Sequence, residues 1–385
     1  MSALPSDAAA LAAELIRRPS VTPRDAGALD LVADALAALG FTCHRLAFGA
    51  GEERIENLYA RRGNGRPNVC FAGHTDVVPA GPVEAWSFDP FGGSLSEGVL
   101  RGRGAVDMKG AIAAFIAAAE AFLAAHGAGF AGSISLLITG DEEGAAKNGT
   151  KKVLEWLESQ GERLDACLVG EPTSARMLGD MIKIGRRGSL TGRLTVEGVQ
   201  GHTAYPHLAD NAAHRLVHML SALLATELDR GSQHFEPSSL QISTIDVGNP
   251  AANVIPARAQ AVFNVRFNDL WTSDTLKRWL GERLDGVGGR YALDLSVSGE
   301  SFLTPPGVVS DCLQQAIRHV TGREPELSTT GGTSDARFIQ AHCPVAEFGL
   351  VGQTMHKVDE RVALADLTAL SAIYREFLEL FFARS

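Results

Sequence analysis

The stretch VCFAGHTDVVPAG (residues 69–81) sets an apolar run directly against two ionisable side chains, His74 and Asp76, followed by a proline. With Asn68 it reads as a strand over 68–74 whose apolar side chains are covered on both faces. Polar residues at the carboxyl end of such a strand face the crevice where open α/β sheets bind ligands. His74 and Asp76 are therefore the first candidates for a site.

Working outward, residues 107–126 place Met108, Ile112, Phe115, Ala119, Phe122 and Leu123 at helical spacing. GSISLLITG (132–140) predicts a fully buried strand, 150–161 a helix, and LDACLVGEP (164–172) another strand ended by proline. Strands alternating with helices predict an α/β architecture. From about residue 185 the texture changes to the alternating strands LTGRLTVEGV (190–199) and AQAVFNVRFN (259–268) around a helix near 211–229. The chain then returns to a helix (308–321), the loop STTGGTSDARF, the strand PVAEFGLVG and a final helix with Leu367, Leu370, Phe377 and Phe381 on one face. The expected organisation is an α/β, mixed-sheet domain with helices on both faces, over 1–184 and 297–385, interrupted by a smaller α+β domain over 185–296.

At 385 residues the chain is too long for one ordinary core. A formal charge of −10 with no Lys/Arg run argues against nucleic acid and anionic membrane as partners, so an anionic substrate needs locally placed arginines. Five cysteines without CxxC spacing build no disulfide framework, which fits a reduced, cytoplasmic setting. The N-terminal MSALPSDAAALAAELIRRPS lacks a basic leader and is interrupted by Asp7 and Glu14, so it reads as an amphipathic helix rather than a signal peptide. No run of 18 uninterrupted apolar residues predicts a membrane span.

The other ionisable residues fall where His74 does. Asp107 follows a Gly-rich turn, Glu142 and Glu143 follow the strand ending at Gly140, Glu171 follows the strand ending at Gly170, and His356 follows the strand near 344–350. Singly, each has an ordinary explanation: Asp107 as a helix N-cap, Glu142 and Glu143 as a solvated loop. Together, two histidines and four carboxylates at converging strand ends would repel unless cations lay between them. Nitrogen and oxygen donors suit zinc, with cobalt or manganese as substitutes. Two ions about 3.5–4 Å apart, bridged by one carboxylate, use these residues and leave one for proton transfer. Asp76 is expected to accept the second ring N–H of His74. Two other patterns are set aside. HRLVH, with His214 and His218 one helical turn apart, has Arg215 where a zinc protease helix needs Glu, and GRGAVD lacks the third glycine of a dinucleotide site.

GHTDVVP, GRGAVDMKG, DEE, VGEP and MHKVDE, in this order and spacing, resemble the dinuclear-zinc aminoacylases and carboxypeptidases. GRRGSL, GVQGHTAYPHLADN, NVIP and TTGGTSDARF resemble one branch of that family, distinct from its acetylornithine deacetylases and dipeptidases. The resemblance covers essentially the whole chain. It implies two zinc ions per subunit, with His74 and Glu171 on one, Glu143 and His356 on the other, Asp107 bridging, and a cis peptide after Asp107. It further implies a catalytic role for Asp76, Glu142 as general base, and His202 as an oxyanion donor from the partner subunit of a homodimer formed through the inserted domain, which also acts as a lid. The implied small-molecule substrate is N-succinyl-LL-2,6-diaminopimelate, with N-acetylornithine or another N-acyl amino acid as the alternative. Its succinyl carboxylate would meet Arg186, Ser189 and Arg266, since the planar guanidinium fork matches a carboxylate. Tyr205, Gly332 and Thr333 would add contacts, and Asn253 one across the subunits. One departure is Gly352, where some relatives carry Asn.

Overall fold

The strand Asn68–His74 is buried at every position but Gly73 and lies inside an eight-stranded sheet. In this computed structural model, which describes residues 7–127 and 129–384, the strand order is Thr42–Phe48, Ile55–Arg62, Ser133–Thr139, Asn68–His74, Ala166–Val169, Val345–Glu347, Met181–Lys183, Glu326–Ser328. The four strands from Ser133–Thr139 to Val345–Glu347 run parallel, while Ile55–Arg62 and Thr42–Phe48 add on antiparallel at one side. The sheet is therefore mixed, as the sequence predicts.

Register shows how both faces are covered. Phe71, Leu136 and Ala60 form one cross-strand row and Ala72, Leu137 and Tyr59 the next, and adjacent rows point to opposite faces. On one side Phe71 stacks on Phe115 of the helix Lys109–His126 at 4.3 Å and meets Tyr374 of the helix Leu364–Phe382 edge-on at 5.7 Å. On the other, Tyr59 meets Trp156 of the helix Thr150–Ser159 at 6.1 Å. Lys109–His126 is long and apolar enough to cross a membrane by length and composition, yet 61% of it is buried, so its apolarity is that of a core helix. Truncating Phe71 to Ala is expected to cost about 3–5 kcal/mol of unfolding free energy, read from denaturant midpoints at unchanged slope. A loss below about 1 kcal/mol would mean the ring does not pack as described.

The N-terminal helix forms over Ala8–Ile16, with the Asp7 carboxylate accepting the Ala9 N–H at 3.0 Å. The part of that expectation covering residues 1–6 lies outside the described residues.

The chain divides into two compact units. The first takes the chain up to Ile184, Thr304–Ser328 and the residues from Ser334 onward. The second, Gly185–Leu303 with Thr329–Thr333, is built on a four-stranded antiparallel sheet in the order Ser239–Asp246, Arg258–Phe267, Gly188–Glu197, Arg290–Gly299. Burial alternates strictly along Arg258–Phe267. Ala259, Ala261, Phe263, Val265 and Phe267 share a core with Leu216 and Leu220 of the helix Ala212–Leu224 and with Leu276 and Leu280 of the helix Ser273–Asp285. The even positions, among them Asn264 and Arg266, fall on the other face. The second unit runs past the expected boundary at 297, because that position lies inside the strand Arg290–Gly299, hydrogen-bonded to Gly188–Glu197 up to Gly299.

Candidate metal centre

Four adjacent parallel strands end side by side, and the residues after them are those the sequence singles out. His74 closes its own strand, Glu142 and Glu143 sit in the turn after Ser133–Thr139, Glu171 follows Ala166–Val169, and His356 lies in the loop after Val345–Glu347. Asp107 comes from the turn that opens the helix Lys109–His126, and the Asp107–Met108 peptide is cis.

His74 Nε2 lies 3.2 Å from Asp107 Oδ1 and 3.6 Å from Glu171 Oε1. His356 Nε2 lies 3.1 Å from Asp107 Oδ2 and 2.7 Å from Glu143 Oε1. Two groups result, His74–Asp107–Glu171 and Asp107–Glu143–His356, each with its ligand atoms within 4.8 Å of one another. Asp107 belongs to both and turns one oxygen to each histidine, the disposition of a bridging carboxylate. Glu142 is in neither of these two groups, although with His74 and Glu143 it forms a third that meets the same distance.

The expectation for Asp76 needs correction. His74 Nδ1–H donates to the Asp76 backbone carbonyl at 2.9 Å, while the nearer carboxylate oxygen is 3.6 Å away. The main chain therefore orients the ring, with Nε2 facing Asp107 and Glu171. The Asp76 carboxylate instead accepts the backbone N–H groups of Glu142 at 3.3 Å and Glu143 at 3.0 Å, donors in a turn that has no strand partner to satisfy them.

Charge balance points to cations. Burial works to lower the pKa of His74, but Asp107, Asp76 and Glu171 together raise it well above the ordinary value. Hydrogen bonds to Asp107 and Glu143 push His356 up to about 10. Burial works to raise Asp107, yet the two imidazoles hold it below the usual carboxylate range. Burial and then the Glu171 charge drive Glu142 well above its ordinary value, and burial pushes Asp76 up to about 6. Protons on the imidazoles thus stand where a cation would. Because a liganding imidazole must be unprotonated, loading at pH 7 is expected to release about two protons per subunit, measurable by calorimetry in buffers of different ionisation enthalpy. The apparent affinity is expected to keep rising with pH toward the His356 value near 10 rather than level off above 6.5. Affinity flat across that window would contradict this ligand set.

The remaining candidates lie in the second unit. Arg186 is 8% exposed, and its Nη1 donates to the Gly332 carbonyl at 3.1 Å, so that oxygen is already engaged. Thr333 belongs to the same Thr329–Thr333 segment. Ser189 pairs across the sheet with Arg266, and its hydroxyl accepts from Asn264 at 3.2 Å. Arg266 Nη1 is buried without a hydrogen-bond partner among the described residues. Burial and the neighbouring Arg187 charge both lower the Arg266 pKa. His202, Tyr205 and Asn253 form a separate group: the rings of His202 and Tyr205 meet edge-on at 5.7 Å, and Thr203 N–H donates to the Asn253 carbonyl at 3.0 Å. His202 is exposed and its Nδ1 accepts the Ala204 N–H at 3.0 Å, which leaves Nε2 to carry a donor hydrogen. At Gly352 a Cβ would lie 2.9 Å from the Pro172 carbonyl oxygen, so this backbone is drawn too tight for a side chain.

Three residues that the sequence reading did not place in the site also stand out. Arg187, beside Arg186, has a buried Nε without a hydrogen-bond partner among the described residues and is 3.7 Å from Glu236. Glu360 and Arg103 lie behind Asp107. Both stand in motifs quoted above, MHKVDE and GRGAVD, where nothing local marks them.

Residues 70–380 match Peptidase family M20/M25/M40, and the chain belongs to that family. It is an enzyme, a hydrolase. A succinyl-diaminopimelate desuccinylase of Rhodospirillum centenum is 64% identical over 378 residues, covering 98% of each chain, and one of Rhodospirillum rubrum is 60% identical over 389 residues, covering 98% of this chain and 99% of its own. Among solved structures, an M20 family metallo-carboxypeptidase from Sulfolobus solfataricus superposes with a TM-score of 0.77 at 16% identity, covering 97% of this chain and 98% of the other. A dinuclear metal binding peptidase from the M20 family of Bacillus subtilis gives 0.69 at 16% identity over 97% and 96% of the chains. The family read from the motifs is thus the family to which the chain belongs, and the fold is that of these peptidases.

Proposed function

We propose that this hydrolase cleaves the amide of N-succinyl-LL-2,6-diaminopimelate, giving succinate and LL-2,6-diaminopimelate for lysine and diaminopimelate biosynthesis, as a cytoplasmic homodimer with two zinc ions per subunit. The observation that carries the hydrolytic reading is Asp107, shared by two ligand groups with one oxygen toward each histidine. The substrate reading is supported by near-full-length relatives that are succinyl-diaminopimelate desuccinylases.

His74, Asp107 and Glu171 would hold one ion and Asp107, Glu143 and His356 the other, a donor set that suits zinc and accepts cobalt or manganese. When bound, the ions supply Lewis acidity, acidifying water and polarising the amide carbonyl. Glu142 takes the proton of the attacking water and delivers it to the leaving amine. Asp76 holds the turn that presents Glu142, through the backbone N–H groups of Glu142 and Glu143. His202 donates its Nε2–H to the developing oxyanion, supplied by the partner subunit. Arg186 and Arg266, with Ser189, take the succinyl carboxylate, and Tyr205, Asn253 and Thr333 add polar contacts. An acetyl group would leave that fork unpaired.

Dimerisation through the second unit is supported by apolar side chains it leaves more than half exposed, Leu208 at 70%, Ile245 at 58%, Val217 at 57% and Leu224 at 56%. Sedimentation of the purified chain at twice the monomer mass is the expected result.

The direct test is hydrolysis of succinylated and acetylated substrates by zinc-loaded protein before and after chelation. Succinate release that chelation abolishes and zinc restores is expected. Equal rates on N-acetylornithine would favour the alternative deacylase. Selectivity is tested by Arg266→Ala, expected to cost on the order of 2–5 kcal/mol in kcat/KM on the succinylated substrate and much less on the acetylated one. Arg266 is a cleaner probe than Arg186, whose hydrogen bond to Gly332 also shapes the loop. An equal loss on both substrates would make the arginine structural.

A further inference from the structure

We propose that Glu360 is a positioning residue for the metal centre, fixing Asp107 and the His356 loop to each other so that the Asp107–Glu143–His356 group keeps its shape. Glu360 is fully buried. Its Oε1 accepts the backbone N–H of Val106 at 2.9 Å and of Asp107 at 3.2 Å, and its Oε2 accepts from Arg103 Nη1 at 2.7 Å. Its backbone carbonyl takes the Gly102 N–H at 3.0 Å. Arg103, 2% exposed, also donates to the Lys357 carbonyl at 3.2 Å and lies over the Trp86 ring at 5.1 Å. One carboxylate and one guanidinium therefore bind the segment carrying Asp107 to the segment carrying His356.

That clamp answers two physical demands. The second segment is strained, since His356 and Asp359 have φ of 60° and 59°, a left-handed conformation that persists in non-glycine residues only when the surroundings impose it. The first segment presents two backbone N–H groups to a dry interior, where each needs an acceptor. A neutral acceptor would satisfy those donors. A buried ion pair costs desolvation and is weak evidence for stability, so its use here points to fixed geometry rather than to fold strength. Glu360 touches no ligand side-chain atom among its hydrogen bonds and acts through the Asp107 main chain. Asp107 serves both groups, but only one of them draws its histidine from the loop that Glu360 closes. Loss of Glu360 should therefore fall chiefly on that ion.

The inference rests on the metal reading proposed above, and the experiment separates the two. Metal-free wild type, Glu360→Ala and Glu360→Gln are titrated with Co2+ alone, followed by calorimetry and by the visible absorption of bound cobalt, while denaturant unfolding of the same metal-free samples reports the fold. Wild type is expected to take two equivalents. In Glu360→Ala one equivalent is expected to lose about 10–100-fold in affinity with a changed absorption band, and the other to stay within about threefold of wild type. Glu360→Gln keeps an acceptor for the N–H groups but loses the charge facing Arg103, so it should fall between. Wild-type affinity and spectrum for both equivalents in the variants would overturn the proposal, as would equal weakening of both in step with lost unfolding stability. Should Glu360→Ala not fold, Glu360→Gln decides by the same two readouts. A wild-type protein that takes up no cobalt would overturn the metal reading, and the role of Glu360 with it.

Discussion

Glu142→Gln is expected to lower kcat by about 10²-fold or more while metal content, fold and KM stay close to wild type. The substitution keeps side-chain size and the capacity to hydrogen-bond, and removes only the ability to take a proton. Glu142 stands outside the two ligand groups that share Asp107, and the proposed mechanism uses its carboxylate for proton transfer. Its backbone N–H remains tied to the Asp76 carboxylate in the variant, since that bond does not involve the side chain. Because Glu142 also forms a third group with His74 and Glu143, bound metal must be counted in the same preparation. Lost turnover with lost metal would make Glu142 a ligand. Near-normal turnover in metal-replete protein would remove it from the mechanism.

The second large effect is a recovery. Glu142→Gln and His202→Ala proteins, each nearly inactive alone, are expected to regain about a quarter of wild-type activity when their subunits exchange. Random exchange makes about half of the dimers mixed. If His202 acts on the partner subunit's centre, one site in each mixed dimer pairs an intact base with an intact oxyanion donor, and the other site lacks both. If His202 acts within its own subunit, every site keeps one defect and mixing restores nothing. Exchange followed independently, by mass-tagged subunits, turns the second result into a refutation of the shared site. Tyr205, edge-on to His202 and 56% exposed, offers a control surface, because Tyr205→Phe should leave subunit exchange intact.

The sequence alone determined the α/β class, the carboxyl-end positions of His74, Glu142, Glu143, Glu171 and His356, and the family, because each is written in local order. An unbroken apolar run marks a buried strand wherever it sits in the chain, and the residue after it inherits the crevice. The second unit was less legible. Arg258–Phe267 announces itself by five alternating buried residues, whereas in Ser239–Asp246 the alternation of Leu240 and Ile242 is broken by a register shift before Thr244 and no position is fully buried. The inserted unit's far boundary was misplaced for a related reason, since Arg290–Gly299 has half-buried positions alternating with exposed ones. Only the tertiary structure decided that Asp107 turns one oxygen to each histidine, that the main chain of Asp76 rather than its carboxylate orients His74, and that Glu360 reaches back to the Asp107 N–H. These contacts join residues brought together by strand order and loop closure, as with Asp107 and Glu360, 253 positions apart. Local propensity carries no record of which oxygen, carbonyl or N–H will face which partner once the chain has closed, and that geometry exists only in the folded state.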